Sequence, residues 1–83
     1  MADQIKDVVE LLGQIEQDFS VPKNIRVRIK NAMDVLELDD GKAMAVKADK
    51  AIEELDSVSD DSNMPAYTRT QIWHIVSLLE SSK

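Results

Sequence analysis

The 83-residue sequence has no cysteine, only two glycines and two prolines, and one residue each of phenylalanine, tyrosine and tryptophan. Without cysteine there is no disulfide framework, thiolate zinc site or thiol nucleophile. The two glycines are too few for a glycine-rich phosphate loop. No apolar run approaches the ~20 residues that a membrane-spanning helix needs. These absences predict a soluble cytoplasmic protein with no membrane partner and no cofactor.

Positive charge is also scarce, because 10 basic residues face 16 acidic ones and the net charge is −6. A negative surface repels the phosphate backbone of nucleic acids on average. We therefore expect no DNA partner, whereas a local basic patch remains compatible with RNA.

An ungapped repeat is the main positive feature of the chain. When residues 1–40 are shifted by 43 positions, they align with the second half of the chain, 44–83. The matched pairs include Asp18 with Asp61, Pro22 with Pro65, Arg26 with Arg69, Ile29 with Ile72, Leu36 with Leu79 and Glu37 with Glu80. A repeat of this length predicts a duplicated unit whose apolar face is buried only when two copies pack together. A chain this short forms a single domain, 1–83.

Hydrophobic spacing predicts helices, because apolar residues recur at the three- and four-residue intervals that build one helical face. Pro22 and Pro65 suit helix starts, since proline has no amide hydrogen to leave unpaired there. Gly41 suits a helix end, because glycine adopts the left-handed conformation easily. The prediction is an all-α, four-helix bundle built from two repeated helical hairpins. Its helices lie near 2–17, 22–38, 42–57 and 65–80.

Two sequence runs carry a family resemblance. They are Val-Pro-Lys-Asn-Ile-Arg at 21–26 and Asn-Met-Pro-Ala-Tyr-Thr-Arg-Thr-Gln-Ile-Trp-His-Ile-Val-Ser-Leu-Leu-Glu at 63–80. Over nearly its whole length the chain resembles the archaeal uncharacterised protein family 0147. The resemblance implies a small four-helix fold and an archaeal cytoplasmic source, and it brings no activity with it. The chain departs from the family pattern at His74 and Lys23, which argues against an indispensable chemical role there.

The repeated residues Asp18, Arg26, Asp61 and Arg69 predict a structural clamp. Each arginine lies four residues after a proline and eight after an aspartate. Its forked donors suit contacts with the carbonyls or the aspartate of the preceding connector.

Arg26 has an alternative role in a basic strip on the second helix. Residues 23–30 contain four basic side chains and no acidic one: Lys23, Arg26, Arg28 and Lys30. Such a strip either contacts RNA or is an exposed helix face of an acidic protein, and no interleaved aromatic residues support base stacking.

A second apolar row points away from the predicted core of helices two and four. It comprises Val27, Val35, Leu38, Tyr67 and Leu78, with Trp73 and His74 beside it. The row is scattered surface exposure, part of a wider core, or an interface. A symmetric homodimer is the most economical interface. Trp73 either fills the core or anchors that interface, and we favour the core.

Catalysis and metal binding have little support in the sequence. His74 is the only histidine and lies in no recognisable nucleophile motif. Asp56, Asp60, Asp61 and Asn63 offer oxygen atoms, but their spacing lacks the glycine and terminal glutamate of a calcium loop. We therefore expect no metal and no enzyme. The sequence favours a noncatalytic protein–protein interaction module or accessory subunit, with a homodimer as one form. The alternative is an RNA- or ribosome-associated factor.

Overall fold

The computed structural model of the chain describes residues 2–38 and 41–82, which form four α-helices and no strand. Helix α1 spans Ala2–Glu16, α2 spans Lys23–Glu37, α3 spans Met44–Ser59 and α4 spans Ala66–Ser82. The predicted all-α, four-helix fold is confirmed, with boundaries that differ from the predicted ones by at most two residues. Asp39 and Asp40, which precede the predicted helix end at Gly41, lie outside the described residues.

The four helices form a ring in which each helix packs against two neighbours. Helix α1 contacts α2 and α4, and α3 contacts the same two helices. Across the ring, no Cα atoms of the described residues of α2 and α4 approach within 8 Å, and the same is true of α1 and α3. Helices α2 and α4 therefore lie diagonally opposite each other. Their outward faces point in different directions, so the interface residues predicted on α2 are separated from those predicted on α4.

Proline precedes α2 and sets its start. Pro22 has φ −55° and ψ 146°, an extended ψ, so it caps the helix instead of forming its first residue. Its carbonyl accepts the backbone N–H groups of Ile25 and Arg26, both at 3.1 Å. Pro65 occupies the matching place before α4 and accepts the N–H of Arg69 at 3.1 Å. The predicted helix starts at 22 and 65 are thus one residue early.

The two connectors at one end of the bundle share a hydrogen-bond pattern. The N–H of Asp18 bonds the Ile15 carbonyl, and the N–H of Val21 bonds the Asp18 carbonyl, both at 3.0 Å. Forty-three positions later, Asp61 bonds Val58 at 3.1 Å and Met64 bonds Asp61 at 3.2 Å in the same way. The repeated sequence therefore folds the chain into the same turn twice. Superposition of the complete hairpins stays a prediction.

The core between the helices is almost entirely aliphatic. Its buried hydrophobic residues are Val8, Leu12, Ile15, Val21, Ile25, Ile29, Ala32, Leu36, Ala48, Ala51, Ile52, Leu55, Val58, Met64, Ile72, Ile75 and Leu79. Burial of one such large side chain stabilises the fold by about 1.5–3 kcal/mol. The small side chains of Ala48 and Ala51 let α3 lie close to its neighbours. The ring is closed between α1 and α4, where Gln4 Nε2 donates to the Leu78 carbonyl at 3.0 Å.

Within the described residues, none of the four helices combines the length and the apolar composition needed to cross a lipid bilayer.

Candidate interaction surface

The outward side of α4 carries two of the three aromatic residues of the chain. Tyr67 is 73% exposed and Trp73 is 58% exposed. Positions three, four and seven apart share one side of a helix, so the exposed residues of α4 form a continuous stripe. We call the part of this stripe from Ala66 to Ser77 the α4 face. It consists of Ala66, Tyr67, Thr70, Trp73, His74 and Ser77, and the stripe continues beyond it to Glu80 and Ser81.

The position of Trp73 corrects the sequence-based expectation that it fills the core. Trp73 follows Ile72, which is fully buried, and a step of one residue rotates a side chain by about 100° around a helix. That rotation moves the indole to the outside. Trp73 is therefore available to a partner, and His74 is exposed beside it.

The α4 face differs from the other surfaces of the bundle in its charge. None of its six residues carries a formal charge at neutral pH when the histidine is neutral. Among the residues whose burial the structure describes, the other three helices expose twelve charged ones, namely Lys6, Asp7, Glu10, Lys23, Arg28, Lys30, Asp34, Glu37, Asp49, Lys50, Glu53 and Asp56. Among the exposed residues of α4, only Glu80, in the last turn, is charged. The sequence signal for this face is the run 70–79, which contains no acidic residue, lysine or arginine.

The predicted interface residues do not form one surface. Val27, which is 51% exposed, and Leu38 lie on or just after α2, diagonally opposite Tyr67 and Trp73. Leu78 is half-buried and packs against the core. The residues predicted on helices two and four therefore lie on separate sides of the ring, which a linear pattern does not reveal, and the interface itself stays a prediction.

Val35 lines a different feature, an open cleft between α2 and α3 of about 370 Å³. The cleft is also lined by Leu38 and Val46, which are both exposed. Three lysines and two acidic residues complete its lining: Lys42, Lys47, Lys50, Asp49 and Glu53. Lys47 Nζ donates to the Leu38 carbonyl across it. The mixture of both charges gives the cleft no clear preference for a ligand.

Both repeated arginines reach back to their connectors. Arg26 Nε donates to the Val21 carbonyl at 3.0 Å, and Arg69 Nη2 donates to the Asp61 carbonyl at 3.2 Å. The two contacts use different donor atoms and different places in the turn. Arg69 Nε is buried without a hydrogen-bond partner among the described residues. The contacts to backbone carbonyls give both arginines a structural role.

The two aspartates of the predicted clamp organise their own turns. Asp18 Oδ1 accepts the Ser20 N–H at 2.9 Å and the Ser20 hydroxyl at 2.6 Å. These bonds, led by the hydroxyl, lower the pKa of Asp18 from 3.8, and the positive charge of Arg26 contributes in the same direction. Asp61 Oδ1 accepts the Asn63 N–H at 2.8 Å in the second turn. The carboxylates thus stabilise the two connectors whose backbone carbonyls accept hydrogen bonds from the arginines.

Phe19 has an unusual environment for an apolar residue. It is 85% exposed, and the guanidinium carbon of Arg26 lies 5.0 Å from the centre of its ring. An arginine at this distance is attracted by the electrons of the ring face. Phe19 therefore packs against a charge at the surface and does not enter the core.

The four basic residues predicted to contact RNA do not form one free strip. Arg28 pairs with Glu54 of α3 at 3.2 Å, and Lys30 pairs with Asp34 at 3.6 Å. Arg26 lies on the side of α2 roughly opposite Arg28, because two residues correspond to about 200° of rotation. Lys23 is exposed and has no hydrogen bond or ion pair with the part of the chain that the structure describes. The RNA contact remains a prediction with weakened support.

The acidic connector does not gather its oxygen atoms at one point. Over residues 2–38 and 41–82, no group of three or more histidine, cysteine, aspartate or glutamate side chains is arranged to hold a metal ion. Asp61 Oδ1 accepts the N–H of Asn63, and Asp61 Oδ2 accepts a hydrogen bond from Asn24 Nδ2 at 3.5 Å. His74 lies on α4, away from this connector.

Comparison with known proteins places the chain in a family. Residues 1–82 match the model of the uncharacterised protein family UPF0147. A UPF0147 protein of Thermococcus kodakarensis is 43% identical over an alignment of 84 residues that covers both proteins completely. A second UPF0147 protein, from Methanocaldococcus jannaschii, is 44% identical over an alignment that covers 95% of this chain and 84% of that protein. The crystal structure of the unknown-function protein MMP1188 has a TM-score of 0.93 at 44% identity, covering 99% of this chain and 92% of that one. The chain therefore belongs to the uncharacterised protein family UPF0147.

Proposed function

We propose that this chain is a noncatalytic protein–protein interaction module, or accessory subunit, of the cytoplasm. The observation that carries the proposal is the α4 face, where Trp73 and Tyr67 are exposed among uncharged residues. Protein interfaces are enriched in tryptophan and tyrosine and depleted of charge at their centre. Rigid aromatic side chains also supply most of the binding energy in many interfaces.

The surroundings of His74 support a noncatalytic role. The imidazole is exposed on the α4 face and has no hydrogen-bond or ion-pair partner among the described residues. A histidine that acts as a general base is usually oriented by a second group and lies beside the group that it deprotonates. Among the described residues no hydrogen bond orients His74, so its place among aromatic and small side chains favours a contact role.

The test is crosslinking in an archaeal host that expresses the tagged full-length chain. We expect the wild type to form specific crosslinked species and Trp73→Ser to lose them. The matched control is Val27→Ser, because Val27 is similarly exposed but lies on the diagonal helix. It should leave the species unchanged. Equal crosslinking in Trp73→Ser and the wild type, or no specific species at all, would contradict the proposed function.

A further inference from the structure

The α4 face also suggests the chemistry of its partner. We propose that the face binds a second copy of this chain, with the two α4 helices antiparallel about a twofold axis near the middle of the stripe Thr70–Ser77. This inference rests on the proposed function, since it names the partner of the same surface.

The charge distribution is the first reason. Each copy has a net charge of −6, so two copies repel each other over most of their surfaces. The exposed residues of α1, α2 and α3 include charges of both signs, whereas the α4 face has none. Two copies that meet through this face bring no formal charges into direct opposition. A strongly basic partner would have no acidic group to contact here.

The arrangement of side-chain sizes is the second reason. Thr70 and Ser77 are small and lie on the middle of the stripe, with the larger Trp73 on one side and His74 on the other. Small residues in the middle let two helix backbones approach, while the large side chains at the edges pack over the partner helix. In a twofold contact, a residue pair is made twice with the roles exchanged. The midpoint of residues 70 and 77 lies between Trp73 and His74, so Thr70 of one copy faces Ser77 of the other.

The size of the face sets the strength of the dimer. A helix of 17 residues is about 25 Å long and about 10 Å wide. Stable interfaces usually bury about 800 Å² on each partner, which is more than one such strip provides. We therefore expect a weak dimer with a dissociation constant on the order of tens of micromolar.

Sedimentation of the full chain between about 5 and 500 µM tests the proposal. We expect the wild type to shift from monomer to dimer across this range. Thr70→Glu should raise the dissociation constant at least ~10-fold, because the carboxylate loses water at the centre of the contact without a partner. The control Val27→Glu adds the same charge on the exposed surface of α2 and should dimerise like the wild type.

A charge pair tests the antiparallel register. The double variant Thr70→Lys with Ser77→Glu should regain dimerisation relative to either single variant, because each lysine then faces a glutamate of the other copy. Both residues are exposed in the monomer, so helicity measured by circular dichroism should stay unchanged in every variant. Failure of the double variant to dimerise more strongly than both single variants would contradict the register.

A wild type that is monomeric up to 500 µM would overturn the second-copy proposal. If crosslinking to a different protein or to RNA still depended on Trp73, the second copy would be wrong as the occupant. The proposed function would then stand if the crosslinked partner is a protein, and it would fail if the partner is RNA. If neither dimerisation nor Trp73-dependent crosslinking occurred, both proposals would fail together.

Discussion

Arg26 lies over the ring of Phe19 at the surface of the bundle, with its guanidinium carbon 5.0 Å from the centre of the ring. The same guanidinium donates through Nε to the carbonyl of the buried Val21. One side chain therefore fixes both the turn before α2 and the aromatic residue within that turn. In the second repeat, Ser62 stands at the position that corresponds to Phe19. Arg69, which corresponds to Arg26, donates through Nη2 to the carbonyl of Asp61.

Arg26→Ala should lower the free energy of unfolding by about 1–2 kcal/mol, since it removes one hydrogen bond and an exposed cation–π contact. Arg69→Ala should lower it by less, because its buried Nε already lacks a partner and removing that group relieves a desolvation penalty. Urea denaturation of both variants measures the difference. An Arg69→Ala loss equal to or larger than the Arg26→Ala loss would show that the unpaired Nε is not destabilising.

Protonation of Asp18 should make the free energy of unfolding fall more steeply as the pH is lowered. Its pKa is lowered chiefly by the Ser20 hydroxyl and then by the Ser20 N–H, so the folded state prefers the ionised carboxyl. A lowered folded pKa gives stability that is complete above the ordinary value of 3.8 and is lost as pH falls through the folded value.

The variant Asp18→Asn should therefore melt below the wild type at pH 7, and the two should converge as the pH falls towards 2. Thermal melts between these pH values measure the convergence. Ser20→Ala removes the hydroxyl donor but keeps the backbone N–H, so it should show part of the same effect. A difference between Asp18→Asn and the wild type that is constant with pH would indicate a cause other than ionisation.

The helices and the core could be predicted from the sequence because both follow from a local period. The buried residues Ile25, Ile29 and Leu36 recur at helical spacing, and the same spacing appears 43 positions later. The sequence analysis favoured the core over the interface for Trp73. Apolarity alone does not fix the side of a helix on which a residue lies, and a single step of rotation was enough to make that prediction wrong.

The surfaces depend on contacts that a linear pattern does not contain. Arg28 looked like part of a basic strip until α3 placed Glu54 against it. Val27 and Tyr67 looked like one row until the ring placed their helices diagonally. Thr70 and Ser77 have no distinctive chemistry, and their proposed role follows only from their position between Trp73 and His74. The sequence marks this surface by the predicted row with Tyr67, Trp73 and His74, and also by the run 70–79, which contains no acidic residue, lysine or arginine.

The two glycines should respond to alanine in opposite directions. At Gly13, in α1, an added Cβ would meet only the Met33 ε-methyl at 3.6 Å, which is an ordinary contact. Gly13→Ala should therefore stabilise the protein by about 0.5–1 kcal/mol, because alanine loses less backbone freedom in a helix. Gly41 has φ +80°, so Gly41→Ala should destabilise by about 1–2 kcal/mol although the site is open. Urea denaturation decides both signs, and stabilisation by Gly41→Ala would contradict the left-handed conformation.

RNA binding should be weak at physiological salt, because the second helix offers few free positive charges. Arg28 and Lys30 are paired with carboxylates, Arg26 bonds a carbonyl, and the whole chain is negatively charged. Fluorescence anisotropy with a single-stranded RNA oligonucleotide should give a dissociation constant above ~100 µM at 150 mM salt. Glu54→Gln serves as the sensitised control, since it releases Arg28 and should strengthen any association at low salt. A wild-type dissociation constant below ~10 µM that rises with Lys23→Ala and Arg28→Ala would favour an RNA-associated factor over a protein-interaction module, because only charge contacts to phosphate predict that dependence.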